Sequence, residues 1–276
     1  LAYRAVHADP APGTADPAPG TAVLVQRLVD ADAAGVLFTA ADGAAARLEA
    51  SWGLGEPVVR GLVTPDTWVP APGGGLEHRA GDKRTRVDRA PGGTATTAVP
   101  LRDRARPCLD EVRVREVLAL GEAVAAHLGG PQDVEFAVAA GRVWLLQARP
   151  VTAPLPPPGA APGAAPGAAP GALLVGAAGS RGSAAGPARL VRSAADFPHV
   201  QPGDVLVCRE TDPAWTPLFG VVAAVVTEVG GVLSHAAIVA RERRLPAVLG
   251  VPGALGVLRD GQHLVVDGDA GTVRPA

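Results

Sequence analysis

Residues 153–172 (APLPPPGAAPGAAPGAAPGA) hold nothing but Pro, Gly, Ala and one Leu. No regular helix or strand can be built through such a run, because Pro removes backbone donors and Gly adds conformational entropy. The 276-residue chain is therefore expected to form two domains, 1–152 and 173–276, with 153–172 as the linker between them. As a coil the linker spans ~25 Å, and as polyproline about 60 Å, enough for one domain to travel relative to the other. A second run of the same kind covers residues 9–20 (DPAPGTADPAPG). With 47% hydrophobic residues, each flank can bury a core of its own.

A net charge of −2 gives no long-range field to gather nucleic acid or anionic membrane, so neither is an expected partner. Apolar stretches are interrupted well before ~18 residues and no signal pattern opens the chain, which predicts a cytoplasmic protein. Cys108 and Cys208 have no Cys or His at metal-ligand spacing and read as buried or half-buried thiols in a reducing compartment, with a disulfide between them left open. No methionine is present, so Leu1 is not an initiator, and the chain is expected to be processed or part of something longer.

In the first segment, residues 22–28 (AVLVQRL) and 35–39 (GVLFT) read as strands, and 60–69 as a further strand interrupted by Pro65. The charged stretch 77–89 reads as a solvated hairpin or loop. Val114, Val117, Leu118, Val124 and Leu128 recur at helical spacing and predict a helix over 109–128, ended by Gly129-Gly130-Pro131. Residues 134–138 and 143–146 predict a hairpin about the turn 139–142. In the second segment, 188–191, 204–208, 221–227 and 264–267 read as strands and 234–243 as an amphipathic helix, giving a layered β/α arrangement.

The sharpest constellation is 227–235 (TEVGGVLSH), where an apolar strand runs through Gly230-Gly231 into Ser234-His235 at a helix start. A histidine there sits near free backbone N–H groups and the positive end of the helix dipole. That setting keeps the ring neutral and nucleophilic, and it offers Gly230, Gly231 and Ser234 as phosphate-positioning groups. A lone histidine more often just packs or caps, but the Gly-Gly approach argues for phosphate chemistry. Separately, Glu135 and Gln147 are polar positions on the two apolar strands of one hairpin, able to face one cleft as hard-oxygen ligands for Mg²⁺. Arg149, two residues on, could neutralise a phosphate. Each of these alone reads as a solvated hairpin position.

Residues 230–250 (GGVLSHAAIVARERRLPAVLG), with 211–219 (TDPAWTPLF) and 179–186 (GSRGSAAG), resemble the mobile phosphohistidine domain of the phosphoenolpyruvate synthase, pyruvate phosphate dikinase and rifampicin phosphotransferase family. Residues 25–29 (VQRLV), 33–39 (AAGVLFT), 50–56 (ASWGLGE), 131–136 (PQDVEF) and 145–150 (LLQARP) are similar to that family's nucleotide-binding domain. The resemblance implies an α+β, α/β multidomain fold: the C-terminal part of an ATP-grasp domain linked to a swivelling β/β/α phosphohistidine domain. It implies His235 as the phosphorylated residue, Glu135 and Gln147 as Mg²⁺ ligands, Arg149 as the ATP-phosphate arginine and Gln26 as a nucleotide contact. Asp133 reads as structural. Leu233 stands where the dikinases carry a regulatory Thr, which removes that switch, and Arg244 stands where the family often has Gly, a change read as neutral.

The same resemblance implies a phosphotransferase passing phosphate from ATP, or phosphoenolpyruvate, through His235 to a small-molecule acceptor such as pyruvate or an antibiotic hydroxyl. The family's first ATP-grasp lobe and its acceptor module have no counterpart among these residues. A separate subunit is therefore an expected partner, and ATP binding by the chain alone is expected to be weak. The rival expectation is a non-catalytic remnant or phosphocarrier module.

Overall fold

The computed structural model describes residues 2–6, 22–41, 44–153, 155 and 171–276. The 9–20 run and most of the 153–172 run lie outside them. Strands β1 (Ala2–Val6) and β2 (Ala22–Gln26) form an antiparallel pair. Then come β3 (Ala33–Phe38), β4 (Arg47–Trp52), helix α1 (Glu56–Arg60), β5 (Asp66–Pro70), β6 (Leu76–Arg79), and a separate hairpin of β7 (Thr85–Ala90) and β8 (Gly93–Ala98). Helices α2 (Leu101–Arg104) and α3 (Glu111–Leu128) precede the hairpin β9 (Gln132–Ala139) and β10 (Arg142–Pro150). The main sheet of this part is antiparallel, in the order β10-β9-β3-β4-β5-β6.

Asp110 caps α3 by accepting a 2.8 Å bond from Arg113 N–H, and Gly129 ends it in the left-handed conformation. Val114, Val117 and Gly121 are its buried positions and pack the helix on the main sheet. Gly121 permits the closest approach, because a Cβ there would overlap Leu37 Cδ2 on β3. Leu128, grouped with the apolar face by spacing, is exposed. The β9–β10 hairpin turns through Ala140 and Gly141, both at positive φ, which matches the twist of a two-residue hairpin loop.

The second part holds β11 (Leu174–Val175), β12 (Ala177–Ser180), β13 (Ser183–Val191), β14 (Val205–Cys208), β15 (Ala224–Thr227), α4 (His235–Glu242), β16 (Ala247–Leu249), α5 (Ala254–Val257), β17 (His263–Asp267) and β18 (Thr272–Pro275). Its mixed sheet runs β11-β18-β17-β13-β14-β15-β16-β12, with β13 to β16 parallel. Parallel strands covered on both faces read as continuous apolar runs, and β14 (VLVC) is such a strand. Val205 and Val207 enter one core with Ala254 and Leu258, while Leu206 and Cys208 enter another with Ala236 and Ala240 of α4. The mixed α/β class expected from the sequence is present, with few helices.

The structure corrects the readings of 77–89 and of Arg244, and it closes the question left open for the cysteines. The stretch 77–89 is not wholly solvated: Lys83 is completely buried, its ammonium donating to the equally buried Asp66 carboxylate. The two cysteines are both free and buried, and burial pushes each thiol's pKa up, so neither is poised as a thiolate. Arg244 is not a neutral replacement for Gly: it lies at φ 53°, a left-handed conformation that costs a side-chain-bearing residue ~1 kcal/mol or more.

Candidate functional site

Glu135 and Gln147 face each other across the β9–β10 hairpin because a bulge between Leu145 and Gln147 shifts the register by one residue; unbroken pairing would set Glu135 opposite Leu146. Both line a cavity of about 690 Å³ together with Gln26 at the end of β2, Glu56 and Arg60 of α1, and the Gly92-Gly93 turn between β7 and β8. A cavity of several hundred Å³ suits a nucleotide-sized ligand. Among the described residues no group of three or more His, Cys, Asp and Glu could hold a metal by itself. Glu135 and Gln147 therefore offer two oxygen donors, an arrangement that fits Mg²⁺, which takes its remaining ligands from water and phosphate oxygens.

Arg149 does not line that cavity. Its Nε donates to Asp133 at 2.7 Å, and the guanidinium borders a recess of about 50 Å³ against α4, beside Arg241 and Glu242. Asp133, read as structural, orients Arg149. Burial raises the Asp133 pKa, and the arginine opposes that rise. Arg149 is nonetheless close enough to His235 to act on its charge.

His235 is the first residue of α4 and half-buried, and its Nδ1 is buried without a partner. Desolvation lowers its pKa, with Arg149 acting in the same direction and Asp212 and Glu242 opposing. A base whose folded pKa is depressed has its neutral-form stability intact above its unfolded value of ~6.5 and loses it as pH falls through the folded value. A ¹H–¹⁵N titration of the His235 ring should thus show a midpoint below ~6.5. A midpoint above that value would mean that the acidic neighbours outweigh burial.

The loop before the helix differs in detail from the sequence reading. Ser234 is buried and makes no side-chain cap; its hydroxyl donates instead to Gly231 C=O at 2.8 Å, closing the turn. Gly230 has φ 109°, and a Cβ on Gly231 would overlap Glu49 Oε2. The N–H groups of Val232 and Leu233 donate to the Glu49 carboxylate, each at 3.0 Å. These loop amides, expected to be free, are thus held by a carboxylate from β4.

Sequence reasoning missed three residues near this site. Glu49 sits on β4, where polar and apolar residues alternate. Arg60 Nη2 reaches Asp212 at 2.6 Å, tying the wall of the large cavity to the 3₁₀ turn Pro213–Gly220. Arg241 donates from Nη1 to Val232 C=O at 2.7 Å and Gly179 C=O at 3.0 Å. Asp212 did carry a signal, as the residue before Pro in 211–219, where it accepts from Ala214 N–H at 3.0 Å.

Both parts of the chain match known protein families. Residues 4–155 match the family described as pyruvate phosphate dikinase, AMP/ATP-binding domain, and residues 200–271 match the PEP-utilising enzyme mobile domain. The chain is 37% identical over 257 residues to a probable phosphoenolpyruvate synthase of Methanothermobacter thermautotrophicus, covering 91% of this chain and 37% of that protein. It is 35% identical over 265 residues to the phosphoenolpyruvate synthase of Pyrococcus furiosus, covering 91% of this chain and 32% of that one. It is also 52% identical over 100 residues to the chondramide synthase cmdD of Chondromyces crocatus, covering 36% of this chain and 3% of that protein. The chain thus spans about a third of the length of the phosphoenolpyruvate synthases it matches. No helix among the described residues is long and apolar enough to cross a membrane. With more than half of its length matched by one family and most of the remainder by the domain that accompanies it, the chain belongs to the pyruvate phosphate dikinase AMP/ATP-binding family and carries a PEP-utilising mobile domain.

Proposed function

We infer that this chain carries the phosphoryl-transfer steps of a phosphoenolpyruvate synthase-type phosphotransferase, with ATP in the cavity beside Glu135 and Gln147 and His235 as the phosphate carrier. Residues 1–152 then act as the C-terminal part of an ATP-grasp domain, 153–172 as linker, and 173–276 as the swivelling domain. The observation that carries this reading is the convergence of two parts of the chain. The nucleotide-sized cavity bordered by the carboxylate–amide pair is also lined by Arg60, whose bond to Asp212 ties it to the second part, and Asp212 and Arg149 both act on the charge of His235.

The chemistry follows from the side chains. Gln26 would contact the nucleotide, and Glu135 and Gln147 would hold Mg²⁺, which when bound neutralises phosphate charge. Arg149, kept in one orientation by Asp133, would draw a phosphoryl group toward the second part of the chain. Since Nδ1 of His235 is buried, Nε2 is the nitrogen free to attack. Its lone pair forms the N–P bond as the P–O bond to the nucleotide breaks, and the departing phosphate oxygen keeps that bond's electron pair. The proton on the other nitrogen stays in place, leaving the phosphorylated ring cationic, a form that Asp212 and Glu242 favour. Movement of the second part would carry the phosphate to a small-molecule acceptor, with a separate subunit or a further part of the protein presenting it.

Calorimetric titration of the chain with Mg²⁺ and ATP tests the donor half of this reading. Glu135→Gln combined with Gln147→Ala should weaken Mg²⁺-dependent ATP binding by at least ~10-fold, the scale of losing two metal-bridged contacts. An affinity unchanged by both substitutions would place ATP elsewhere.

A further inference from the structure

We propose that Glu49 is the latch that docks the phosphohistidine part against the nucleotide-binding part and positions the loop carrying His235. The docking it serves is that of the phosphoryl-transfer reading above, but the latch itself stands on separate geometry. Glu49 lies on β4 of the first part, on the strand face opposite Leu48 and Ala50, which enter the core beneath α3. Its carboxylate is fully buried and grips the second part through backbone alone, accepting from Val232 N–H and Leu233 N–H across 183 and 184 residues of sequence.

The fit is made from both sides. Gly231 leaves the space that the carboxylate fills, and Arg241 takes the Val232 carbonyl, so both polar backbone groups of Val232 are held. Around this contact Val36, Phe38, Val58 and Val63 of the first part form one buried cluster with Ala177, Val232 and Leu233 of the second. Two consecutive N–H groups converge on the one carboxylate as in an anion-binding nest; burial raises the Glu49 pKa, while Arg47, the two amides and Arg241 favour its charged form. The contact joins backbone to a side chain on the other part, so it can break and re-form without unfolding either sheet. Once the parts separate, water replaces the carboxylate at the nest and the amides around Glu49.

Hydrogen–deuterium exchange on the whole chain distinguishes a latch from ordinary core packing. In Glu49→Ala, amides in residues 230–235 and in α1 should exchange at least ~10-fold faster, on the scale of hydrogen bonds to a charged group, while β14 and β15 exchange as in wild type. Gly231→Ala, which pushes the seam apart from the other side, should give the same localised pattern, and Glu49→Asp should restore part of the protection. Acceleration spread evenly through β14 and β15 would mean a stability role only and would overturn the proposal, as would unchanged exchange at 230–235 in both Glu49→Ala and Gly231→Ala. The transfer reading fails separately: a localised exchange change in a protein whose His235 takes no phosphate from any donor would leave the latch standing and remove the chemistry.

Discussion

His235→Ala is expected to reduce uptake of acid-labile, alkali-stable phosphate to background when the chain is supplied with a competent donor. The residue opens α4 just after the Gly230-Gly231 turn, and its buried Nδ1 leaves a single nitrogen for attack. Among the described residues near it, Asp212 and Glu242 are carboxylates and Arg149 a guanidinium, none able to form a phosphoramidate of that lability. The fold should survive, because the turn is closed by Ser234 Oγ to Gly231 C=O and the helix face is built from Ala236, Ala237 and Ala240. Substituting His263, which is exposed at the start of β17, should leave uptake unchanged. The measurement is labelled-phosphate incorporation with circular dichroism as the folding control. Full incorporation into folded His235→Ala would remove this residue as carrier.

The largest effect on stability is expected at Lys83. Its ammonium and the Asp66 carboxylate are both excluded from solvent, and Asp66 also accepts from Gly81 N–H and Cys108 N–H at 2.8 Å each. One carboxylate thus ties the segment after β6 and the segment before α3 to β5. Lys83→Ala leaves that charge buried without its cation and should cost roughly 3–5 kcal/mol. In the melting curve this is a fall of roughly 6–20 °C for the part that contains it. The pair replaced together, Asp66→Asn with Lys83→Met, should lose less than the sum of the single changes, because no uncompensated charge remains. A thermal shift under about 2 °C for Lys83→Ala would mean that the lysine reaches water in solution.

Much of the framework is legible in local chemistry alone. The α3 helix follows from apolar residues at helical spacing between an Asp cap and a Gly stop, and the β9–β10 hairpin from two short apolar runs around Ala140-Gly141. His235 is marked by a strand, two glycines and a helix start that adjoin one another in the chain. In each of these cases the interacting groups are near in sequence, so spacing alone carries the information. The apposition of Glu135 and Gln147 is different: unbroken register from the turn would set Glu135 opposite Leu146, and the bulge between Leu145 and Gln147 brings Gln147 there instead.

Contacts between distant segments carry the rest. Residues 47–51 alternate polar and apolar as a strand with one wet face would, yet Arg47, Glu49 and Ser51 are all buried. Alternation tells which side chains share a face; it cannot tell whether water or another part of the chain covers that face. Lys83 lies in a run of charges that resembles solvated loop, and only the distant Asp66 makes its burial tolerable. Arg149 shares a nominal strand face with Gln147, but its bond to Asp133 turns it toward α4 and away from the large cavity. Local spacing and capping specify the elements, because these depend on neighbours along the chain. Which amides are free, which charges are dry and which arginine acts on the histidine were decided by packing, because burial and charge compensation depend on neighbours in space.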